Sequence, residues 1–252
     1  MPNGAKGVGR RGKLVGVPRR TVALIDELGR RRPDLPDPEA LIAAALVLVD
    51  GRFVTNPASR VAPGCSIVVR DAASLRGEAK LGPALSRFGV AVEGRVALDA
   101  GAAAGGFTRV LLDAGAARVY AVDVGHGQLV GSLRQDPRVV DLEGTNLGEL
   151  SPDLVPDPVD VVTLDLSYLS LASAVGQLDR ITLTADADLI ALVKPMFELH
   201  LDHAPTDDAS LAEAIAAART GIEAAGWKVL AEMESPVRGA KGAREALLHA
   251  RR

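Results

Sequence analysis

"GRVALDAGAAAGGFT", residues 94–108, is the stretch on which the reading of the fold turns. A short apolar run ends in Asp99, and Gly101, Gly105 and Gly106 follow with only alanines between them. Phe107 then opens an amphipathic segment over 107–114. Apolar run, loop of small residues and helical period, in that order, predict strand, tight loop and helix, the unit from which a parallel α/β sheet is built. Ligands of such sheets bind beyond the carboxyl ends of the strands. A loop of glycine and alanine at that place lets a ligand approach the backbone closely and permits φ > 0.

Further elements keep the same rhythm. The pattern predicts strands over 95–98, 118–122, 139–142, 159–164, 189–193 and 228–234, and helices over 107–114, 128–134, 171–178 and 209–225. Their alternation describes a mostly parallel, Rossmann-like sheet with helices on both faces. The loop spacing separates two nucleotide readings. A dinucleotide site needs G-x-G-x-x-G, whereas Asp99-x-Gly101-x-x-x-Gly105-Gly106 fits the D/E-x-G-x-x-x-G loop of class I S-adenosylmethionine methyltransferases. Asp123 ends the next strand, 24 residues after Asp99. A carboxylate there can accept both hydroxyls of a ribose; its other reading is a helix cap.

Ahead of this region the chain changes character. Residues 1–20 hold six basic residues and no acidic ones, and read as a flexible tail. Residues 21–70 carry two short helical patterns and, around Asp50-Gly51, a hairpin signal between apolar runs, which is a small α+β module. Residues 71–79 read as a linker and 80–252 as the large domain. Residues 1–70 are net +6 and the remainder net −9, an asymmetry expected of a nucleic-acid-binding appendage on an acidic body, or of a solvated tail that aids solubility.

Composition removes other classes. Hydrophobic residues make up 48%, which excludes disorder of the whole chain. With aromatics at 3%, a surface of stacking rings for single-stranded nucleic acid is not expected. Cys65 is the single cysteine, so there is no disulfide framework, and in "PGCSIVV" it reads as an inert buried thiol. No apolar run reaches the roughly 18 residues of a membrane span, and no secretory h-region opens the chain, so a cytoplasmic location is expected.

Two resemblances add to this reading. "AALVLVDGRFVTNPASRVAPGCSIVV" resembles the closing hairpin of the S4 RNA-binding domain, although "RPDLPDPEALIAA" is acidic where that domain has a basic helix. Arg30, Arg31, Arg32 and the tail could supply the missing charge. "ALDAGAAAGGFTRVLLDAGAARVYAVDVGHGQL", "VVTLDLSYLSL", "LIALVKPMFE" and "ESPVRGAKGAREALL" resemble the TlyA-type members of the FtsJ-like ribosomal RNA methyltransferases, over about residues 40–248 and most specifically 98–198.

The resemblance implies a methyltransferase that uses S-adenosylmethionine to methylate a ribose 2′-hydroxyl of rRNA or a ribosomal subunit. It carries a Lys-Asp-Lys-Glu tetrad onto Lys80, Asp165, Lys194 and Glu245, and a cofactor set onto Asp99, Gly101, Ala102, Gly105, Gly106, Phe107, Thr108, Asp123, Val124, Asn146 and Asp165. Lys194, if neutral, could take the hydroxyl proton, with Asp165 orienting it and Lys80 favouring its neutral form. Read without the resemblance, Lys80 is a solvated helix residue and Glu245 a surface charge on a C-terminal helix.

This chain also departs from the family text. Ala103-Ala104 replaces Ser-Thr, Met196 replaces Gln in "K-P-Q-F-E", and "FELHLDHAPTDD" stands where the family continues "F-E-A-G-R". His200, Asp202, His203 and Asp207 in that segment read as a polar loop in preference to a metal cluster. Two rivals stay open: a methyltransferase of the same stock acting on a small molecule or peptide, and a non-catalytic RNA-binding or assembly protein.

Overall fold

A computed structural model describes residues 21–35, 37–43, 46–69, 77–239 and 242–252. The tail expected over 1–20, and residues 71–76 of the expected linker, lie outside the described residues.

The first unit contains β1 (Val22–Ala23), α1 (Leu24–Arg31), α2 (Pro38–Ala43), β2 (Val47–Val49), β3 (Arg52–Phe53), β4 (Arg60–Val61) and β5 (Ile67–Val69). β1 pairs with β4, and β2 lies between β3 and β5. Leu24, Leu28, Ile42, Val47, Val61 and Cys65 form its core. α1 runs through Gly29 to Arg31. Buried Glu27 receives hydrogen bonds from both Arg30 and Arg31, and Arg32 pairs with Asp34. All three arginines expected to substitute for a basic helix are thus matched by carboxylates within the unit.

The second unit runs α3 (Glu78–Phe88), β6 (Val96–Ala100), α4 (Gly106–Asp113), β7 (Arg118–Asp123), α5 (Gly131–Arg134), β8 (Val139–Glu143), β9 (Val159–Leu164), α6 (Leu171–Val175), β10 (Leu183–Val193), α7 (Pro195–Glu198), α8 (Asp208–Ala224), β11 (Lys228–Glu234) and β12 (Ala246–Arg251). Seven strands form one sheet in the order β11-β12-β10-β9-β6-β7-β8. Neighbours from β10 to β8 are parallel, and β12 runs antiparallel to both β10 and β11. Strand order reverses between β6 and β9, the switch point where such sheets open a crevice.

Alternation along each strand divides the core in two. Leu98, Val162, Leu189 and Leu248 face α6 and α8, while Ala97, Val161, Ile190 and Leu247 face α3 and α4. Burial on both faces makes these strands near-continuous apolar runs. That property explains the main difference from expectation. The segment around Glu245 is not a helix: "ALLHAR" is β12, buried between two neighbours, and an apolar run of that length does not reveal its period. Two smaller differences have local causes. α5 begins three residues later than expected because the Glu143 carboxylate takes the N–H groups of Gly127, Gln128 and Leu129. The helix expected over 171–178 stops at Val175, and a separate 3-10 turn follows at Leu178–Arg180. None of the described helices is long and apolar enough to cross a membrane.

Candidate active site

The loop from β6 to α4 is small because the protein itself lies against it. Gly101 has φ 89° and Gly105 φ 94°, a region closed to most side chains. A Cβ on Gly101 would overlap the Asp165 carbonyl oxygen, and one on Gly105 would overlap Leu133. One on Gly106 would stand 2.9 Å from the Gly77 Cα at the start of α3. Ala103 takes a left-handed conformation too, φ 46°, and its N–H donates to Asp123 Oδ2 at 2.9 Å. Asp123 Oδ1 accepts from the Gly125 N–H at 2.7 Å, so one carboxylate ties two loops without capping a helix. Each of its oxygens keeps further acceptor capacity.

Asp99 is wholly buried inside β6 and accepts hydroxyl hydrogen bonds from Thr108 (2.6 Å) and Thr163 (2.9 Å). Burial pushes its carboxyl up to about 6. It fastens α4 to β6 and β9. Asn146 caps the turn Leu147–Glu149, and Phe107 and Thr108 are packed under the loop.

Among the cavities at this end of the sheet, two share a wall. The first, about 230 Å³, lies between Asp123 and Asp165 and is walled by Gly101, Ala103, Val122, Val124, Leu147 and Leu166, with Gln128, Thr145 and Tyr168 at its sides. The second, about 420 Å³, is lined by Lys80, Asp165, Lys194 and Glu245 together with the apolar Pro195, Met196, Phe197 and Pro205. Gly101, Ala103, Asp165 and Ser167 belong to both. Asp165 stands just past the end of β9 and Lys194 just past the end of β10, where Pro195 turns the chain into α7. Their side chains meet, Nζ to Oδ1, at 2.5 Å, and Lys194 also donates to Ser167 Oγ at 2.8 Å. Lys80 and Glu245, each 6% exposed, form a second pair at 2.7 Å. Each lysine is therefore held by its own carboxylate. Gly239 is what admits Glu245, since a Cβ there would overlap its carboxylate.

A family profile described as FtsJ-like methyltransferase matches residues 74–252. The chain belongs to the FtsJ-like methyltransferases. This FtsJ-like methyltransferase is 42% identical over 211 residues to the 16S/23S rRNA (cytidine-2′-O)-methyltransferase TlyA of Mycobacterium tuberculosis, covering 80% of this chain and 78% of that one. It is 35% identical over 218 residues to hemolysin A of Brachyspira hyodysenteriae, covering 83% and 90%. Among solved structures, a protein provisionally called a hemolysin from Streptococcus thermophilus superposes with a TM-score of 0.67 at 29% identity, covering 93% of this chain and 89% of that one. These likenesses place the FtsJ-like methyltransferase in the TlyA-type group.

Of the residues expected to touch a cofactor in this methyltransferase, Gly101, Asp123, Val124 and Asp165 line the first cavity. Asp99, Ala102, Gly105, Gly106, Phe107, Thr108 and Asn146 do not; they build the loop and its supports. All four tetrad positions face the second cavity. Lys80 is buried, not solvated, because α3 packs against α4 and turns it inward. Sequence reasoning missed Ser167 and Ala103. Ser167 lies in the quoted "DLSYLSL", two residues past Asp165, which was the available signal. Ala103 was marked only as a departure from the family text, for the hydroxyl it lacks, whereas its value lies in a backbone N–H. Asp207, weighed as a metal ligand, is the N-cap of α8, and His200 and His203 lie on the surface.

Proposed function

We propose that this protein transfers a methyl group from S-adenosylmethionine to a ribose 2′-hydroxyl of ribosomal RNA. The observation that carries the reading is Asp165, on the wall common to both cavities, paired with Lys194 in the second, where the buried Lys80–Glu245 pair also lies.

The first cavity suits the cofactor's nucleoside: apolar walls from Val124, Leu147 and Leu166, and a carboxylate at the end of β7 with acceptor capacity left for ribose hydroxyls. When bound, S-adenosylmethionine supplies a methyl group made electrophilic by a sulfonium. Asp165 presents negative charge toward that positive centre from the shared wall. On the acceptor side, a ribose hydroxyl is a weak nucleophile and needs a proton acceptor. Lys194 Nζ is the group placed to take the hydroxyl proton, and Asp165 and Ser167 hold the resulting ammonium in the arrangement seen here. The Lys80–Glu245 ion pair forms another part of the acceptor cavity's wall. An S4-like module and a basic N-terminal segment supply the RNA-facing parts.

The test is methylation of unmodified ribosomal subunits and free rRNA with radiolabelled S-adenosylmethionine, followed by nucleoside analysis for 2′-O-methyl products. Lys194→Arg keeps a cation beside Asp165 but cannot accept a proton. It should lower kcat by 10²-fold or more, on the order of a general base's contribution, while calorimetry shows cofactor binding retained. Turnover by Lys194→Arg near the wild-type rate would remove Lys194 from the base role.

A further inference from the structure

The segment from α7 into α8, where this chain departs from its family's text, forms part of a third cavity of about 260 Å³. Its walls include Met196, Phe197, Leu201, His200, Ser173 and Tyr168. It shares Met196 and Phe197 with the acceptor cavity and Tyr168 with the cofactor cavity, so it adjoins the reaction site. Among the described residues, no Lys, Arg, Asp or Glu lines it. A phosphate would find no counter-charge there, and a neutral, planar ring with a polar edge matches a lining of apolar side chains, hydroxyls and an imidazole.

His200 carries a second mark. It follows the end of α7 in the left-handed region, φ 54°, and the next N–H, of Leu201, returns to the Met196 carbonyl at 2.9 Å. This is the helix-closing position that glycine fills without strain. Here a histidine accepts the left-handed backbone, and His200 and Leu201 both line the cavity. A strained residue at a cavity wall points to use of its side chain.

We propose that the third cavity is a nucleobase subsite: it seats the base of the nucleotide flanking the methylated ribose against Met196 and Phe197, with the base's polar edge toward His200 and Ser173. The acceptor cavity, at about 420 Å³, holds the methylated nucleoside itself, and the strand's next base falls one wall away. This rests on the RNA reading given above.

The test uses the full chain and an oligonucleotide centred on the ribose that the wild type methylates in rRNA, made with each neighbouring position intact or abasic. His200→Gly suits the left-handed backbone and keeps the fold, and Ser173→Trp fills the cavity from another element. Both should leave the cofactor Kd unchanged and lower kcat/KM on the intact oligonucleotide about tenfold or more, through KM. An abasic neighbour should cost the wild type the same factor and cost His200→Gly nothing further. Wild-type kcat/KM in both variants, or losses that multiply between variant and abasic substrate, would overturn the subsite alone. A wild type that binds cofactor but methylates no RNA would bring down the functional reading, and the subsite with it.

Discussion

Lys80 and Glu245 come from elements more than 160 residues apart in the chain and meet at 2.7 Å with almost no exposure. A buried ion pair is costly to break on one side, since the surviving charge stays desolvated. Lys80→Met should therefore lower stability by about 3–5 kcal/mol in urea unfolding, whereas Lys80→Met with Glu245→Gln should recover most of that loss. Neither variant should transfer methyl groups at the wild-type rate, because the acceptor wall has changed. A single variant as stable as the wild type would show that Glu245 is reached by water. At the same scale, Lys80 and Glu245 were the residues least legible in the chain: read alone, each looks like an ordinary solvated charge, and only the family text singled them out.

Among the elements, α7 is one turn long, yet it joins the two halves of the acceptor site. Lys194 precedes it, and Glu198 at its end accepts the Leu171 N–H at 2.9 Å, fastening α7 to the start of α6 just past the Asp165–Ser167 loop. Burial pushes the Glu198 carboxyl up to about 7. With the folded value above the ordinary 4.5, the protonated fold is favoured, so the contribution to stability is full below about pH 4.5 and is lost as pH rises through 7. Glu198→Gln, which keeps a carbonyl acceptor, should narrow the stability gap between pH 5 and pH 8 by up to about 3 kcal/mol. Denaturant titrations at the two pH values check this, and an unchanged gap would mean that Glu198 ionises freely in the fold. A different balance holds on β10, where buried Asp188 accepts from Arg95, His249 and Arg251 and is held below its ordinary range by these hydrogen bonds, which outweigh its burial. Most strands of the large sheet were readable from apolar runs, but the first half of β10 (183–188) and β12 were not; in β12 a run buried on both faces has no visible period.

For the whole molecule, charge is divided unevenly, +6 in residues 1–70 against −9 in the rest. Arg30, Arg31 and Arg32 are matched within the first unit, which leaves the six basic residues of 1–20 as the main candidates for phosphate contacts. Deleting residues 1–20 should reduce the slope of log K against log salt for rRNA binding by up to about 5, at roughly 0.7–0.9 per phosphate contact, with cofactor affinity unaltered. An unchanged slope would move the electrostatic grip elsewhere. By itself, the chain determined what local order can determine: a strand, a small-residue loop and a helix at 94–114, the alternation that makes a parallel sheet, and a carboxylate at the end of β7. Tertiary structure decided what distance along the chain conceals. It placed Asp165, Lys194, Lys80 and Glu245 around one cavity, turned β12 into a strand between two others, and divided the expected cofactor residues into those that line the crevice and those that hold its loop. Periodicity and spacing report on neighbours within a turn or a strand, whereas burial of a charge and convergence on a cavity depend on which segments pack together.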